Sequence, residues 1–376
     1  MHNKKLRNYI LLQNLAGGLV SPFTSFLAVI IGVPSIGVSL VSSASSFFSG
    51  VVQLPLRSIK RIESLLKIST LILAMLWLLM AFLAYGNPIL YLVTYIAIAS
   101  IGGANSYAWS LIMERVSRGN RGRTLATYAF WGSVGGLLAT LVTGFIVGSN
   151  YSLVRYVFIT SGFLILMNAV GIWGLSSIDP EPQGASNPLD LLRSNRRLTR
   201  FLMINMLFAI VWSFAWPLFP LAPVYLFNMT MEQVAIINVI SGVSTLLLQR
   251  HVGVWFDKNR KLIMFLGRFL LITYPLSFAL APNVYVIYIA YAVSGFTNSA
   301  SNIAYISFVY DNSEDRKTAV GLYNLFYGIG TLIGSLMGGA FVSLVSNYVG
   351  LRDGVRLLLL SDAAARAVTA TLYMSV

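Results

Sequence analysis

The 376-residue chain contains no cysteine and only two histidines. That excludes disulfides, thiolate metal sites and a cysteine nucleophile, and no HExxH pair occurs anywhere. No catalytic residue, metal ligand or cofactor is therefore expected, and the chain does not read as an enzyme. Charge is scarce too. Asp, Glu, Lys and Arg make up 10% of the residues, against roughly 25% in soluble domains, so there is too little polar surface to coat a globule in water. Acid is rarer than base, 12 residues against 26, which leaves a net charge of +14.

What the chain has instead is apolar length. Hydrophobic residues supply 57% of it and the mean hydropathy is +0.75. Runs of about 20 apolar residues recur, each long enough to cross a hydrocarbon core of ~30 Å. The fold class is an all-α membrane protein with twelve spans, near 9–31, 34–55, 65–85, 88–112, 124–147, 153–175, 200–226, 232–252, 262–281, 284–308, 318–346 and 354–376. The N-terminal MHNKKLRNYILLQNLAGG begins like a signal peptide. Its apolar stretch runs past Pro22 to Ile31 without a small-residue cleavage site, so it is read as the first span.

The basic residues explain the net charge without nucleic acid. Assigned to sides, with Arg250 and Arg268 counted alongside DKNRK, all but Arg155, Arg352, Arg356 and Arg366 go with KKLR, RSIKRIESLLK, ERVSRGNRGR, RSNRRLTR, DKNRK and SEDRK. The alternate connections, GVPS, GNP, GSNYS, FNMTMEQ, APN and SNYVGLRDG, carry turn residues and almost no base. By the positive-inside rule the basic set is cytoplasmic. The expectation is a multi-pass plasma-membrane protein with both termini in the cytoplasm.

The chain is internally duplicated. RGRTLATYAFWGSVGGLLATLVTGFIV (121–147) lies over RKTAVGLYNLFYGIGTLIGSLMGGAFV (316–342) at a constant offset of 195, pairing Tyr128 with Tyr323, Gly135 with Gly330 and Gly144 with Gly339. ANS (104–106) falls on TNS (297–299) at an offset of 193. The Pro-, Gly- and Ser-rich segment after span 6 reads as a linker. The expected organisation is a six-helix half over 1–175, a cytoplasmic linker over 176–199 and a second six-helix half over 200–376. Duplicated six-helix units are a common build of secondary transporters, with the solute site near mid-membrane.

Two kinds of helical stripe stand out. Small residues recur on one face of span 2 (Ser39, Ser42, Ser43, Ser46, Ser49), span 5 (Gly132, Gly135, Ala139, Thr143), span 8 (Asn238, Ser241, Thr245) and span 11 (Gly328, Thr331, Ser335, Gly339). Such faces admit a neighbouring backbone, either as static packing or as a sliding contact. GIGTLIG (328–334) belongs to this packing and not to a dinucleotide-binding turn. Polar and aromatic residues mark the other set: Asn14, Gly18 and Ser21 on span 1, Asn105 and Trp109 on span 4, Asn205, Trp212 and Trp216 on span 7, and Asn298, Asn302 and Tyr305 on span 10. Amides in hydrocarbon need partners, so these faces bind either each other or a solute. None of these four spans has a charged residue in its middle, which favours a neutral solute. Of the mid-span charges, Asp362 and Arg366 stand one turn apart on span 12 and are expected to pair with each other. Arg268, about two turns into span 9, is expected either to reach the cytoplasmic face or to pair with Asp311.

With two six-helix halves and the basic knot GVWFDKNRK (253–261), the chain resembles the major facilitator superfamily. Gly253, Asp257, Lys258 and Lys261 match its motif A, with Arg260 in place of the second glycine, while QLPLRSIKR after span 2 carries Pro55 and no Asp. Glu114, Arg115, Arg121 and Arg123 resemble the acidic and basic pattern between spans 4 and 5. The resemblance implies that spans 1, 4, 7 and 10 line a cavity and that spans 2, 5, 8 and 11 form gates. Gly253 then admits span 5, and Asp257 sits at the N-terminus of span 5 near Arg121 or Arg123. The expected function is rocker-switch transport of a small neutral organic solute, as exporter or facilitator. A proton-coupled sugar or metabolite symporter is the alternative, and a non-transporting scaffold or receptor is the alternative of another class. The expected partners are a small-molecule solute and the lipid bilayer, with no nucleic acid, and the expected state is a monomer.

Overall fold

The computed structural model describes residues 2–56, 59, 61–116, 121–175, 187–313 and 315–375; the side chains of 2–4, 53, 54, 114, 115, 121–127, 129, 302, 303, 306, 307, 310, 316, 317 and 375 fall outside the description. All regular structure among the described residues is helical. A helix satisfies its own backbone polar groups, which is what hydrocarbon surroundings demand.

Among the described residues, eleven helical stretches are long and apolar enough to cross a membrane. They are span 1 (Lys5–Ile31), span 3 (Ile62–Ala84), span 6 (Tyr151–Ile172), span 7 (Arg196–Tyr225), span 8 (Met231–Lys258), span 9 (Arg260–Leu280), span 12 (Leu351–Met374), span 2 (Ser35–Leu56), span 4 (Pro88–Val116), span 5 (Arg121–Val147) and span 11 (Arg316–Val349). The twelfth, span 10, is built in pieces: Val284–Ala292, Ser294–Ala300, a π-turn Ser301–Tyr305, and Ile306–Asp311. Span 12 runs helically from Leu351 to Met374, ending in a 3-10 turn.

Local sequence explains the ends and the breaks. Spans 7, 9, 10 and 11 each start after a side chain that accepts a backbone N–H: Asn195 from Leu198, Asn259 from Leu262, Asn283 from Tyr285 and Asp315 from Thr318. These are N-caps that satisfy otherwise orphaned donors. Span 1 tightens to a 3-10 turn at Ser21–Phe23, around Pro22. Span 7 breaks between Phe214 and Leu218, before Pro217, and span 9 tightens at Leu270–Ile272, just ahead of Pro275. Proline lacks the N–H and crowds the preceding turn, so breaks fall there. The described part of the linker is largely helical. Asn187 caps a short helix, Pro188–Ser194, by accepting from the Leu189 amide, and span 7 begins at Arg196 rather than 200.

The described residues group into two compact units. One comprises Met1–Val33, Val52–Pro182 and Thr230–Asn238; the other comprises Pro34–Val51, Gln183–Met229 and Val239–Val376. Within the first unit a core forms around Leu6, Tyr9, Ile62, Leu66, Ala108 and Ile112. Within the second it forms around Phe201, Phe208, Met264, Tyr305, Leu322 and Tyr373. Large apolar side chains such as Leu83, Ile89, Val170 and Leu247 point outward, as surfaces wetted by lipid do.

The repeat seen in the sequence reappears in the packing. A Cβ added to Gly135 would stand 3.3 Å from the Leu11 carbonyl oxygen, and one added to Gly330 would stand 2.7 Å from that of Met206. Both glycine and partner are displaced by the same 195 residues, so span 5 meets span 1 as span 11 meets span 7. The second pair of glycines behaves alike. Gly144 faces the Met231 carbonyl of span 8 at 3.1 Å, and Gly339 faces the Ser35 carbonyl of span 2 at 2.7 Å, both measured from an added Cβ. The small-residue stripes of spans 2 and 11 also meet directly. Ser335 Oγ donates to the Ser39 carbonyl at 2.8 Å, and Gly328 abuts the backbone of Ser46 and Phe47.

Candidate functional site

In the first unit the polar faces of spans 1, 3 and 4 close on one another. Tyr9 Oη donates to Asn105 Oδ1 at 2.8 Å, and Asn105 Nδ2 donates to Ser69 Oγ at 3.0 Å and Thr70 Oγ1 at 2.9 Å. Asn105 is buried, and its amide is spent inside the bundle rather than offered to a solute. Trp109 packs its ring 5.0 Å from Tyr9 and 6.0 Å from Tyr128, centroid to centroid, and stays partly exposed. Asn14 turns its amide back to the Ile10 carbonyl, 2.8 Å away on the same helix. Span 6 adds Asn168, whose Nδ2 donates to the Tyr9 carbonyl at 3.1 Å and to Gln13 Oε1 at 3.2 Å. The sequence stripes single out Asn105 and Trp109 but not Tyr9, Ser69, Thr70 or Asn168. These come from three other spans, and only the packing brings them together.

In the second unit Arg268 organises the corresponding region. Neither expectation for this side chain holds. It is 2% exposed, far from reaching an aqueous face, and Asp311 pairs instead with Arg260 at 2.5 Å. Arg268 Nη2 donates to Asn205 Oδ1 at 3.1 Å, and the guanidinium lies 3.9 Å from the Tyr305 ring centroid, 4.6 Å from that of Phe208 and 5.5 Å from that of Tyr373. Aromatic faces carry negative potential, so this cage stabilises a cation that pairs with no carboxylate among the described residues. Tyr373 Oη adds a second bond to Asn205 Oδ1 at 3.0 Å, and Tyr305 Oη donates to the Met264 carbonyl at 2.7 Å. Asn205 and Tyr305 therefore belong to an arginine cluster that links spans 7, 9, 10 and 12. Tyr373, close to the C-terminus, carries no sequence signal for this role.

Trp212 and Trp216 meet edge to face at 5.1 Å, with Tyr327 5.9 Å from Trp212, and both indoles are partly exposed. Asn298 is exposed and stands 3.3 Å from both Ser241 Oγ and Thr245 Oγ1 of span 8, so the amide of span 10 meets the small polar stripe. The side chain of Asn302 lies outside the described residues. Asn14 and Trp109 of the first unit, and Trp212, Trp216 and Asn298 of the second, are thus the predicted site residues whose described side chains keep accessible surface, an aromatic and amide set without charge.

Of the motif A residues, Asp257, Lys258 and Lys261 are exposed and Gly253 is partly so. Asp257 makes no hydrogen bond or ion pair with a described residue. Its proposed partners Arg121 and Arg123, with Glu114, have side chains outside the described residues. No group of three or more His, Cys, Asp or Glu suited to a metal occurs among the described residues.

No curated protein matches the chain. Solved structures do. The nucleoside transporter NupG superposes with a TM-score of 0.79 at 17% identity, covering 99% of both chains. A bacterial homologue of the human lysosomal transporter Spinster gives 0.70 at 13% identity, covering 99% of this chain and 96% of that one. An auto-inhibited POT family peptide transporter gives 0.77 at 11% identity, covering 98% and 96%. At such identities these likenesses concern the fold alone. The family model of the Major Facilitator Superfamily matches residues 10–335. With most of its length matched and its duplicated twelve-helix architecture in place, the chain belongs to the Major Facilitator Superfamily.

Proposed function

We propose that the protein carries a small, neutral organic solute across the plasma membrane by rocking of two six-helix halves, 1–175 and 200–376, joined by the cytoplasmic linker 176–199. The observation that carries this reading is the repeated glycine contact. Gly144 against span 8 and Gly339 against span 2 place gate helices in backbone contact at equivalent points of the repeat, at the ends remote from the basic loops. Helices that touch through glycine and serine slide or separate at little packing cost, because no interlocked side chains need to repack. Alternating access asks for such joints in pairs.

A neutral solute follows from the chemistry of the accessible residues. Trp109, Trp212 and Trp216 offer aromatic faces and Asn298 an amide, which suits uncharged rings or sugar-like groups. Two cations nearby among the described residues are both enclosed, Arg268 by its rings and by Asn205 and Arg366 by Asp362. Export or facilitated diffusion is favoured over proton symport, since Asp362 is bound to Arg366 with both side chains fully enclosed. The neighbours in fold bear names of nucleoside and peptide transporters, so the fold itself selects no cargo. A monomer with both termini in the cytoplasm completes the proposal.

Counterflow in proteoliposomes tests it. A panel of labelled nucleosides, sugars and uncharged amphiphiles is offered with and without a pH gradient. Saturable counterflow of at least one neutral solute, insensitive to the gradient, is expected. Transport only with an imposed proton gradient favours the symporter, and a tightly bound solute that never crosses favours a receptor.

A further inference from the structure

Span 12 holds an ion pair to which the transport reading gives no part in handling solute. Arg366 Nε lies 2.6 Å from Asp362 Oδ2, one turn earlier on the helix, and both side chains are fully enclosed. A pair that only lowered the cost of insertion would need nothing more. Arg366 makes two further bonds, each to another span. Its Nη2 donates to the carbonyl of Trp212 at 2.7 Å, and its Nη1 donates to the carbonyl of Leu271 at 2.9 Å.

Both acceptors are carbonyls released by a helix break. In an unbroken helix the Trp212 carbonyl takes the amide of residue 216, and the Leu271 carbonyl takes that of residue 275. The Trp216 amide instead donates to the Ser213 carbonyl at 2.9 Å, and the next residue, Pro217, has no N–H. Residue 275 is itself a proline. A carbonyl freed in this way and buried in hydrocarbon demands a donor. The rigid guanidinium fork supplies two donors from one side chain, with Asp362 balancing its charge and the Phe219 ring 5.5 Å from its centre. The span 7 helix resumes immediately, as the Phe219 amide donates to the Ala215 carbonyl.

We infer that Arg366 is a positioning residue: it pins the broken segment of span 7 against span 9 and so sets the placement of the Trp212 and Trp216 rings. The importance of those rings for solute rests on the proposed function; the pinning itself does not. Asp362 serves by holding the guanidinium aimed at the two breaks.

The test uses the full chain in lipid nanodiscs, labelled with 5-fluorotryptophan, with the resonances assigned through Trp212→Phe and Trp216→Phe. Two variants are compared. Asp362→Asn with Arg366→Gln removes both charges together, so that no lone ion is buried. Arg366→Lys keeps the charge but offers a single nitrogen, which cannot serve both carbonyls in the fork geometry. In either variant the Trp212 and Trp216 resonances are expected to shift or split, with those of Trp77 and Trp109 unmoved. Exchange of the amides of Ala215, Trp216, Leu218 and Phe219 is expected to quicken about tenfold. If the double variant fails to fold, the lysine variant carries the comparison. Wild-type resonances and exchange rates in a folded variant overturn the inference. Because neither readout involves transport, a failure of solute counterflow counts only against the proposed function.

Discussion

Arg260 and Asp311 join the start of span 9 to the C-terminal end of span 10 at 2.5 Å, with both side chains about half exposed. Arg260 stands where the motif A resemblance places a glycine, so its side chain is available for this bond. An exposed pair is screened and contributes only about 0–1 kcal/mol. Asp311→Asn should therefore lower stability by less than about 1 kcal/mol, with the difference vanishing in high salt. Thermal melts at low and high ionic strength check this, and a large salt-independent loss would show that the contact does more than join two loops.

Asn105 should matter to folding more than to solute. Its amide serves Tyr9, Ser69 and Thr70 on two other spans. Asn105→Ala leaves several buried polar groups without partners, at a cost of about 1–3 kcal/mol. Trp109→Ala, at a partly exposed ring, should weaken binding with a smaller loss of stability. Melting in detergent together with solute binding separates the two. The assignment is wrong if Asn105→Ala melts as wild type and only binding falls.

Gly135 and Gly330 should be sensitive in the same way, since the packing of the repeat puts a carbonyl against each. Gly330→Leu should be the more damaging, because an added Cβ already stands 2.7 Å from the Met206 oxygen, against 3.3 Å at Gly135. Backbone cannot yield as a side-chain tip can, so spans 7 and 11 must part. Expression level and melting temperature of both leucine variants provide the comparison; tolerance at Gly330 with collapse at Gly135 would contradict it.

Asp257 is the test of the gating proposal. If its carboxylate meets the N-terminus of span 5 only when the cytoplasmic side is closed, it favours the outward-open state by about 0.3–2 kcal/mol. A loss of ~1.4 kcal/mol shifts the ratio of states tenfold. Asp257→Asn should then raise the inward-open population and slow counterflow without changing affinity. Double electron–electron resonance between labels on the cytoplasmic ends of spans 5 and 8 measures it. Identical distance distributions would leave the knot as an ordinary positive-inside anchor.

Much of the architecture is legible in the chain because its causes are local or periodic. Apolar run length fixes the spans, and the constant offset of 195 between 121–147 and 316–342 exposes the duplication. The stripes of spans 2 and 11 foretold a backbone contact, and Ser335 does bond the Ser39 carbonyl. Asp362 and Arg366 pair as their spacing implies. Span 10 was harder to read, since its breaks at Val293 and Ser301–Tyr305 carry no proline to announce them.

Partner choice is where the sequence stopped. It determined that Asn105, Asn205 and Arg268 lie in hydrocarbon and must find partners, because an unpaired amide or cation there is costly. Only the tertiary structure decided that Asn105 turns to Tyr9 and span 3, that Arg268 enters a ring cage with Asn205 instead of reaching Asp311, and that Arg366 reaches the freed carbonyls of Trp212 and Leu271. Helical periodicity records which face a residue occupies. It does not record the rotation and depth of the neighbouring helix, and over a few ångströms these decide which donor meets which acceptor.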